Sequence, residues 1–364
     1  MYNNHLVFVL GINTGTSVDG VDLALVKWNA KNLRKFEIIE EASYEMDPTV
    51  RQDIEVLIAK QVCPLEAVSD LHYKIGRFLA FIVKECKSEF PDLQIDLIGM
   101  HGQTVYHGEN SSMQLGNVGV VSKLTGIPTV GDFRSGDIAF GGEGAPLTSF
   151  LDDVLIRDPS EVKATLNIGG IANITVMKPD EPTLAYDTGP GNTLIDCLMK
   201  KLFQEDYDKD GAIAKSGRVD EKFVSSLIRK TEYFHMPAPK TTGRELFDEK
   251  FADKFLDLGN KENIIATVSY FTAKTISEEL KKFDLKQIFV AGGGYKNQYL
   301  MDTLKEMNPG LELSSHEGFH INSQYKEAML FSLLAFTCFK DIPNNVPSST
   351  GAKKATILGV ISKP

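Results

Sequence analysis

Two α/β lobes of duplicated architecture are what this sequence predicts, and three observations predict them. The chain runs to 364 residues, long for one domain. Apolar runs of strand length alternate with stretches of helical periodicity. The same unit, a strand, a glycine turn and a second strand, opens both halves, at Leu6–Val26 and again at Lys163–Met177.

The opening unit reads LVFVLGINTGTSVDGVDLALV. Val7, Val9 and Ile12 suit a buried strand, and Val21, Leu23 and Leu25 alternate like a second one. Between them Gly15 and Gly20 permit φ > 0, so that successive backbone N–H groups point into one concavity, with the Thr16 and Ser17 hydroxyls added. Such a nest binds an anion. Asp19 and Asp22 belong beside an anion only if a divalent metal such as Mg²⁺ stands between carboxylate and phosphate. A plain β-hairpin with a polar tip is the other reading of this stretch.

Phe36–Tyr44 is expected to complete a meander. Val50–Ile58 and Leu65–Lys87 carry helical periodicity, and Ile95–Met100 is a short buried strand. His101-Gly-Gln-Thr-Val-Tyr-His107 follows at the carboxyl end of that strand, where open α/β sheets place ligands. Gln103 and Thr104 suit polar substrate groups, and for either His101 or His107 a hydrogen-bonded structural role stands beside an acid–base one. Thr129–Phe133 is the next strand, leading into Arg134. That side chain either pairs locally with Asp132 or Asp137, or grips a hydroxyl-rich or anionic substrate. Gly136–Gly144 reads as a pliable connection, and Pro146–Ile156 as a helix.

In the second unit, Gly169-Gly170 forms the turn, with Asn167, Asn173 and Thr175 as polar contacts. Paired cradles of this kind imply lobes that serve one nucleotide. Neither GxGxxG nor GxxxxGK[ST] occurs, which removes support from Rossmann and P-loop readings. Asp187 then ends a strand, before the Thr188–Asn192 turn and a helix from Thr193. It is either a turn-stabilising residue or a general base beside transferring phosphate. Asp206–Gly217 is expected to be a solvated loop and Tyr233–Leu246 an extended one, while Ile264–Phe283 is a long amphipathic helix. Gly292, Gly293 and Gly294, between a strand and a helix, let the backbone approach a flat ring or ribose. Ser323–Phe339 is the last long helix, with Glu327 in its first turn, placed for the helix dipole or for substrate and metal.

Composition bounds the partners. Hydrophobic residues make up 42% and charged residues 24%, ordinary for a chain with a full core. The formal charge of -10 argues against nucleic acid or an anionic membrane. Four scattered cysteines, with no CxxC, fit thiols in a reducing compartment. No leader or membrane span is expected, so the chain is expected to be cytoplasmic.

Seven segments in this order carry a resemblance: GTSVDGVD (15–22), HGQTVYH (101–107), GDFRSGDIAFGGEGAPL (131–147), NIGGIANIT (167–175), YDTGPGNTLID (186–196), VAGGGYKNQYLM (290–301) and KEAMLFSLLAF (326–336). Together they resemble the anhydro-N-acetylmuramic acid kinase family, and the match runs to the closing TGAKKATILG (350–359). The resemblance implies a two-lobed actin/hexokinase/Hsp70-like, duplicated ribonuclease-H-like fold with ATP in the interlobe cleft. Lobe one would be 1–135 with 346–364 returning to it, and lobe two 136–345. It also implies ATP-dependent opening and 6-phosphorylation of 1,6-anhydro-N-acetylmuramic acid during cell-wall recycling, and a homodimer.

By the same resemblance Gly15–Asp22 matches the first phosphate loop, Asn167–Thr175 the second, and Gly292–Asn297 the adenosine segment. Asp187 matches the general base. His101, Gln103, Thr104, Arg134, Gly189 and Glu327 would face the sugar, and Asp19 with Glu327 the Mg²⁺. Three positions depart from the family pattern. Asn13-Thr14 stands where Met-Ser is usual, Asn117 where Asp is common, and Glu143 where Gln is common. A kinase for another anhydrosugar such as levoglucosan, an ordinary sugar hydroxyl kinase, and an actin- or chaperone-like ATPase or sugar sensor are the competing readings.

Overall fold

The computed structural model describes residues 6–15, 18, 20–59, 62–108, 110–243, 245–315, 322 and 324–364. Its strands are β1 (Leu6–Thr14), β2 (Gly20–Asn29), β3 (Glu37–Glu45), β4 (Leu97–Met100), β5 (Gln103–Gly108), β6 (Ser111–Leu115), β7 (Thr129–Gly131), β8 (Lys163–Ile168), β9 (Ile171–Met177), β10 (Leu184–Pro190), β11 (Gln287–Ala291), β12 (Glu312–Ser315) and β13 (Val360–Ser362). The chain divides into two compact units, one of Met1–Leu155 with Gln324–Pro364, the other of Ile156–Ser323.

The first unit holds a sheet in the order β13-β7-β4-β1-β2-β3. β1, β2 and β3 form an antiparallel meander, and β4 and β7 run parallel to β1. β1 is buried along nearly its whole length because helices cover both faces of the sheet. Leu10 and Ile12 enter one apolar cluster with Leu71, Ile75 and Leu79 of the helix Leu65–Glu89, which presents its apolar stripe at the predicted spacing. On the other face the helix Lys326–Phe339 packs against β1, β2 and β4. Gly11 and Gly99, paired in register on β1 and β4, make its floor. A Cβ on Gly11 would lie 1.8 Å from the Ala328 carbonyl oxygen, and one on Gly99 2.2 Å from that of Phe331. Trp28, the chain's single tryptophan and fully buried, donates its indole N–H to Ser332 Oγ at 2.8 Å; that hydroxyl donates to the Val9 carbonyl at 2.9 Å.

The second unit repeats the plan, in the order β10-β9-β8-β11-β12: an antiparallel meander whose first strand continues into a parallel pair. Side chains of β8, β9 and β11 pack with Ala273 and Ile276 of the helix Lys261–Leu280 and with Leu300 and Leu304 of the helix Gln298–Met307. The duplication reaches single positions. In unit one Asn13 pairs with Asp22, which pairs with Ser43; in unit two Asn167 pairs with Asn173, which pairs with Asp187. Residues opposed across a ladder share a face.

Three expectations need correction. Residues 136–155 and 324–345 fall in the first unit rather than in a second lobe spanning 136–345. The cause is a set of polar anchors: Asp137 accepts from Asn345 and Thr350, and Asp152 pairs with Lys326. Asp206–Gly217 is no plain loop, since buried Asp208 accepts the Ile213 and Ala214 amides and starts the short helix Ala212–Ser216. Gly136–Gly144 is not slack either: Ser135–Ala139 is helical and Asp137 ties down the glycines that follow. β13 does return to the first sheet, antiparallel to β7.

Candidate active site

In the first unit, four elements bring polar side chains to one place. Asn13, next to last in β1, donates Nδ2–H to Glu327 Oε2 at 2.7 Å. Glu327 sits in the first turn of the helix Lys326–Phe339, where the helix dipole favours an anion. Its charge acts on Arg134, opposing the fall in the guanidinium's pKa that burial causes. Arg134 donates Nε–H to His101 Nε2 at 3.1 Å, with Nη2 2.9 Å from the same nitrogen, and Nη1–H to the Gly144 carbonyl at 2.6 Å. Those bonds use three of its five N–H groups. It pairs with neither Asp132 nor Asp137: Asp132 accepts from Ser135, and Asp137 holds the Gly144 amide at 2.9 Å.

His101 stacks on Phe331 with centroids 4.6 Å apart. Burial and then the Arg134 charge push its pKa down to about 3. The ring is therefore neutral near pH 7 and accepts from Arg134, so it positions that group rather than shuttling protons. Gln103, 1% exposed, sends Nε2–H toward the Gly15 carbonyl at 3.5 Å while its Oε1 is buried without a partner. Thr14 Oγ1 is buried and unpartnered as well. Two such orphans at the end of β1 are what a bound ligand or water satisfies. Thr104 Oγ1 accepts from Gln114 across the β5–β6 hairpin, at 3.3 Å. Asp22 accepts from Ser43 Oγ at 2.5 Å and Gln324 Nε2 at 3.4 Å, and Gly20 lies against the Tyr44 carbonyl. Thr16, Ser17 and Asp19 lie outside the described residues.

Two of the three departures from the family pattern have local explanations. Asn117 Oδ1 accepts the Val120 amide and caps the helix Val118–Thr125, a task Asn and Asp perform equally well. Asn13 supplies the hydrogen bond that holds Glu327. Glu143 is exposed, and its backbone amide bonds Thr350.

In the second unit the pairing row Asn167–Asn173–Asp187 runs across β8, β9 and β10. Asp187 Oδ2 accepts from Thr241 Oγ1 at 3.1 Å and from the Thr242 amide at 2.9 Å. Its own amide donates to the Lys240 carbonyl, and its carbonyl accepts the Tyr233 hydroxyl at 2.6 Å. Beyond Asp187 the β9–β10 register shifts, and Thr188 turns inward to bond the Ala172 carbonyl. The Gly169 and Gly170 carbonyls receive the Asn192, Gly191 and Thr193 amides, welding the glycine turn to the start of the helix Thr193–Phe203. Local duties at this corner thus fall to Thr188 and Asn192, whose Nδ2 donates to the Ile168 carbonyl.

Gly292 has φ +87°, and a Cβ there would meet Ile168 O at 2.6 Å and Asn167 Oδ1 at 2.7 Å. At Gly294 it would meet Ile168 Cγ2 at 2.3 Å, while Gly293 faces the Asn192 side chain at 3.7 Å. The triple glycine therefore lets β11 and the following turn lie against the cradle. Asn297, 7% exposed, spends its Oδ1 on the Leu300 amide as the cap of the helix Gln298–Met307, so a ligand can meet only the remaining amide. Gly189 is buried against Phe234 and Thr275, a packing position rather than an open one.

The family model for anhydro-N-acetylmuramic acid kinase matches residues 7–364. The chain belongs to the anhydro-N-acetylmuramic acid kinase family. It is 37% identical over 367 residues to the anhydro-N-acetylmuramic acid kinase of Pasteurella multocida (strain Pm70), covering 98% of this chain and 96% of that protein. To that of Caldanaerobacter subterraneus subsp. tengcongensis it is 35% identical over 390 residues, covering 100% and 98%. Among solved structures it is similar to an activator of 2-hydroxyisocaproyl-CoA dehydratase from Clostridium difficile with bound ADPNP. There the TM-score is 0.44 at 11% identity, over 92% of this chain and 96% of that one.

In this member of the anhydro-N-acetylmuramic acid kinase family, two residues that hold Asp187 carry no signal in the sequence. Thr241 and Thr242, which hold the Asp187 carboxylate, sit in a K-T-T-G run without periodicity, and nothing in the run points to Asp187, more than fifty residues earlier. Among the described residues no cluster of three His, Cys, Asp or Glu forms a closed metal cage, and no helix is long and apolar enough to cross a membrane.

Proposed function

We propose that this chain opens 1,6-anhydro-N-acetylmuramic acid with water and phosphorylates it at O6 at the expense of ATP. Family membership over residues 7–364 supports the reaction, and the observation that carries it to named atoms is the clamped carboxylate of Asp187. A carboxylate inside β10, at the register shift and held by one hydroxyl and one amide, has its orientation fixed before substrate arrives, as a general base requires.

In this reading Asp187 removes a proton from water as the water oxygen bonds to the anomeric carbon. The bond from that carbon to the bridging O6 breaks, O6 bonds to the γ-phosphorus, and ADP leaves. No separate acid is needed, because phosphorus captures the departing oxygen. Arg134, with two N–H groups left over, and Gln103 and Thr104 bind polar groups of the sugar. Gly15–Asp22 and Asn167–Thr175 supply amides and hydroxyls to the phosphates, and Gly292–Gly294 flank the nucleoside. Mg²⁺, when bound, would neutralise phosphate charge, and the hard carboxylate oxygens of Glu327 and Asp19 would hold it. The reading includes a cytoplasmic homodimer, as the family resemblance implies.

The test is product mass analysis with ATP, Mg²⁺ and a panel of anhydro and open-ring sugars in ¹⁸O water. Label at the anomeric position with phosphate on O6 is expected from the anhydro-N-acetylmuramic acid arm. Label-free product, or turnover confined to open-ring sugars, overturns the hydrolytic step. Asp187→Asn is expected to retain ATP binding and to lose about 10²-fold or more in kcat.

A further inference from the structure

Directly beneath Asp187 lies an ion pair that the reaction does not use. Lys240 Nζ donates to Glu279 Oε1 at 2.8 Å, with the two side chains 0% and 4% exposed. The ammonium also sits 4.8 Å from the centre of the Tyr233 ring. Glu279 belongs to the helix Lys261–Leu280, and its other oxygen accepts the Tyr186 hydroxyl at 3.0 Å as well as Lys282. Burial alone would raise the Glu279 carboxyl's pKa; the Lys240 and Lys282 ammoniums outweigh it and hold the group below its ordinary value.

A pair so deep is a poor stabiliser, because the desolvation of both charges offsets most of their attraction, and apolar replacements of such pairs are often neutral or better. What it fixes is geometry. Residues 236–243 lie in neither helix nor strand, yet Lys240 O, Thr241 Oγ1 and Thr242 N all close on Asp187. Lys240 is the buried side chain of this stretch, 5% exposed as a residue. Tyr186 on one side of Asp187 and Lys240 on the other converge on the same carboxylate. Tyr233, under the Lys240 ammonium, closes the ring by donating to the Asp187 carbonyl; burial and then the Asp187 and Glu279 charges push its pKa up, so the phenol stays a donor.

We propose that Lys240, locked by Glu279, and Tyr233 are positioning residues that hold the 240–242 strap and the Asp187 backbone, and so aim the Asp187 carboxylate. The proposal rests on the reading of Asp187 as the base. It predicts a dissociation of stability from rate: the strap needs the specific pair, whereas the core needs only filled volume.

Three variants of the full chain test it, each assayed for kcat, for KM of sugar and ATP, and for the urea midpoint. Lys240→Met/Glu279→Met removes both charges and keeps the volume. Its expected outcome is a urea midpoint lowered no further than the loss of the Tyr186 hydroxyl's acceptor accounts for, ATP KM within about twofold, and kcat lowered roughly 10- to 100-fold. Tyr233→Phe deletes one hydroxyl and is expected to lower kcat about three- to tenfold without moving ATP KM. Asp187→Asn distinguishes the positioning role from the base it serves. If Asp187→Asn is inactive while a folded double variant and Tyr233→Phe both turn over at wild-type kcat, the positioning role is wrong and the base survives. If Asp187→Asn keeps wild-type turnover, the base itself is wrong. Should the double variant not fold, Tyr233→Phe decides the matter, and an unchanged kcat there overturns the proposal.

Discussion

Arg134 and His101 form a one-way hydrogen bond in which the guanidinium donates and the imidazole Nε2 only accepts. The direction follows from charge. Protonating a ring already faced by a cation is costly, and burial followed by the Arg134 charge holds the His101 pKa at about 3, well under its ordinary 6.5. A cation is thus held by a neutral base and one carbonyl, leaving part of its fork for a ligand.

The linkage sign follows. Between pH 6.5 and about 3 the unfolded chain binds a proton at His101 that the folded chain refuses, so this group's contribution to stability is full above pH 6.5 and is lost as pH falls toward 3. His101→Gln keeps an acceptor for Arg134 and removes the titration. Its urea midpoint is expected to fall less than wild type's between about pH 7 and pH 4. In the wild-type protein the His101 ring resonances are expected to stay constant from about pH 8 to pH 5; a midpoint at the ordinary 6.5 would refute the assignment.

Asp137 governs the other anchor of Arg134. Its Oδ2 accepts the Gly144 amide, and its Oδ1 accepts Asn345 Nδ2 at 2.8 Å and Thr350 Oγ1 at 2.7 Å. Asp137→Ala strands three donors in a fully buried place, at about 1–3 kcal/mol for each one left unsatisfied. We expect a loss of at least about 2 kcal/mol in urea unfolding. A sugar KM raised more than ATP KM is also expected, because the Gly144 carbonyl that steadies Arg134 moves.

Strand and helix periodicity carried most of the fold. β1, β2 and the helix Leu65–Glu89 were set by alternation and by an apolar stripe, and the repeated cradle announced the duplication. Arg134, His101 and Glu327 share one corner of the first unit, and only the family resemblance, not any local pattern, put them on one side. What stayed hidden was distance in sequence. Thr241 meets Asp187 fifty-four positions away, Asn13 meets Glu327 three hundred and fourteen away, and no local pattern encodes either contact. The unit boundary was hidden for the same reason, since Asn345 and Thr350 claim Asp137 only after the chain has returned. Asn297, which the family resemblance puts in the adenosine segment, gives its Oδ1 to the Leu300 amide as a helix cap, a role that the sequence around it does not announce.

The glycine floor under the helix Lys326–Phe339 gives a sharp steric prediction. A methyl at Gly11 cannot coexist with an Ala328 carbonyl oxygen 1.8 Å away, so the helix must shift. Overpacking costs of about 1–3 kcal/mol are usual where side chains can adjust, and here the obstacle is backbone. Gly11→Ala is expected to lose about 3 kcal/mol or more by urea unfolding. By contrast Gly126→Ala, with open space around its Cβ but φ +72°, should lose about 1 kcal/mol, the cost of the left-handed conformation alone.

Glu327 rides on that same helix, and its charge can be separated from its hydrogen bond. Glu327→Gln retains an oxygen to accept from Asn13 Nδ2 and leaves the helix in place, so fold stability should change by less than about 0.5 kcal/mol. The carboxylate is lost, and with it the interaction that opposes the desolvation of Arg134. If Glu327 serves the metal, the half-saturating Mg²⁺ concentration should rise about tenfold, roughly 1.4 kcal/mol of binding, while sugar KM moves less. If instead it serves only the sugar side, sugar KM rises and the Mg²⁺ titration is unchanged. An Asn13→Ala variant completes the test. It keeps the charge but frees the carboxylate, and should show a smaller Mg²⁺ shift than Glu327→Gln, because orientation is lost and charge is not.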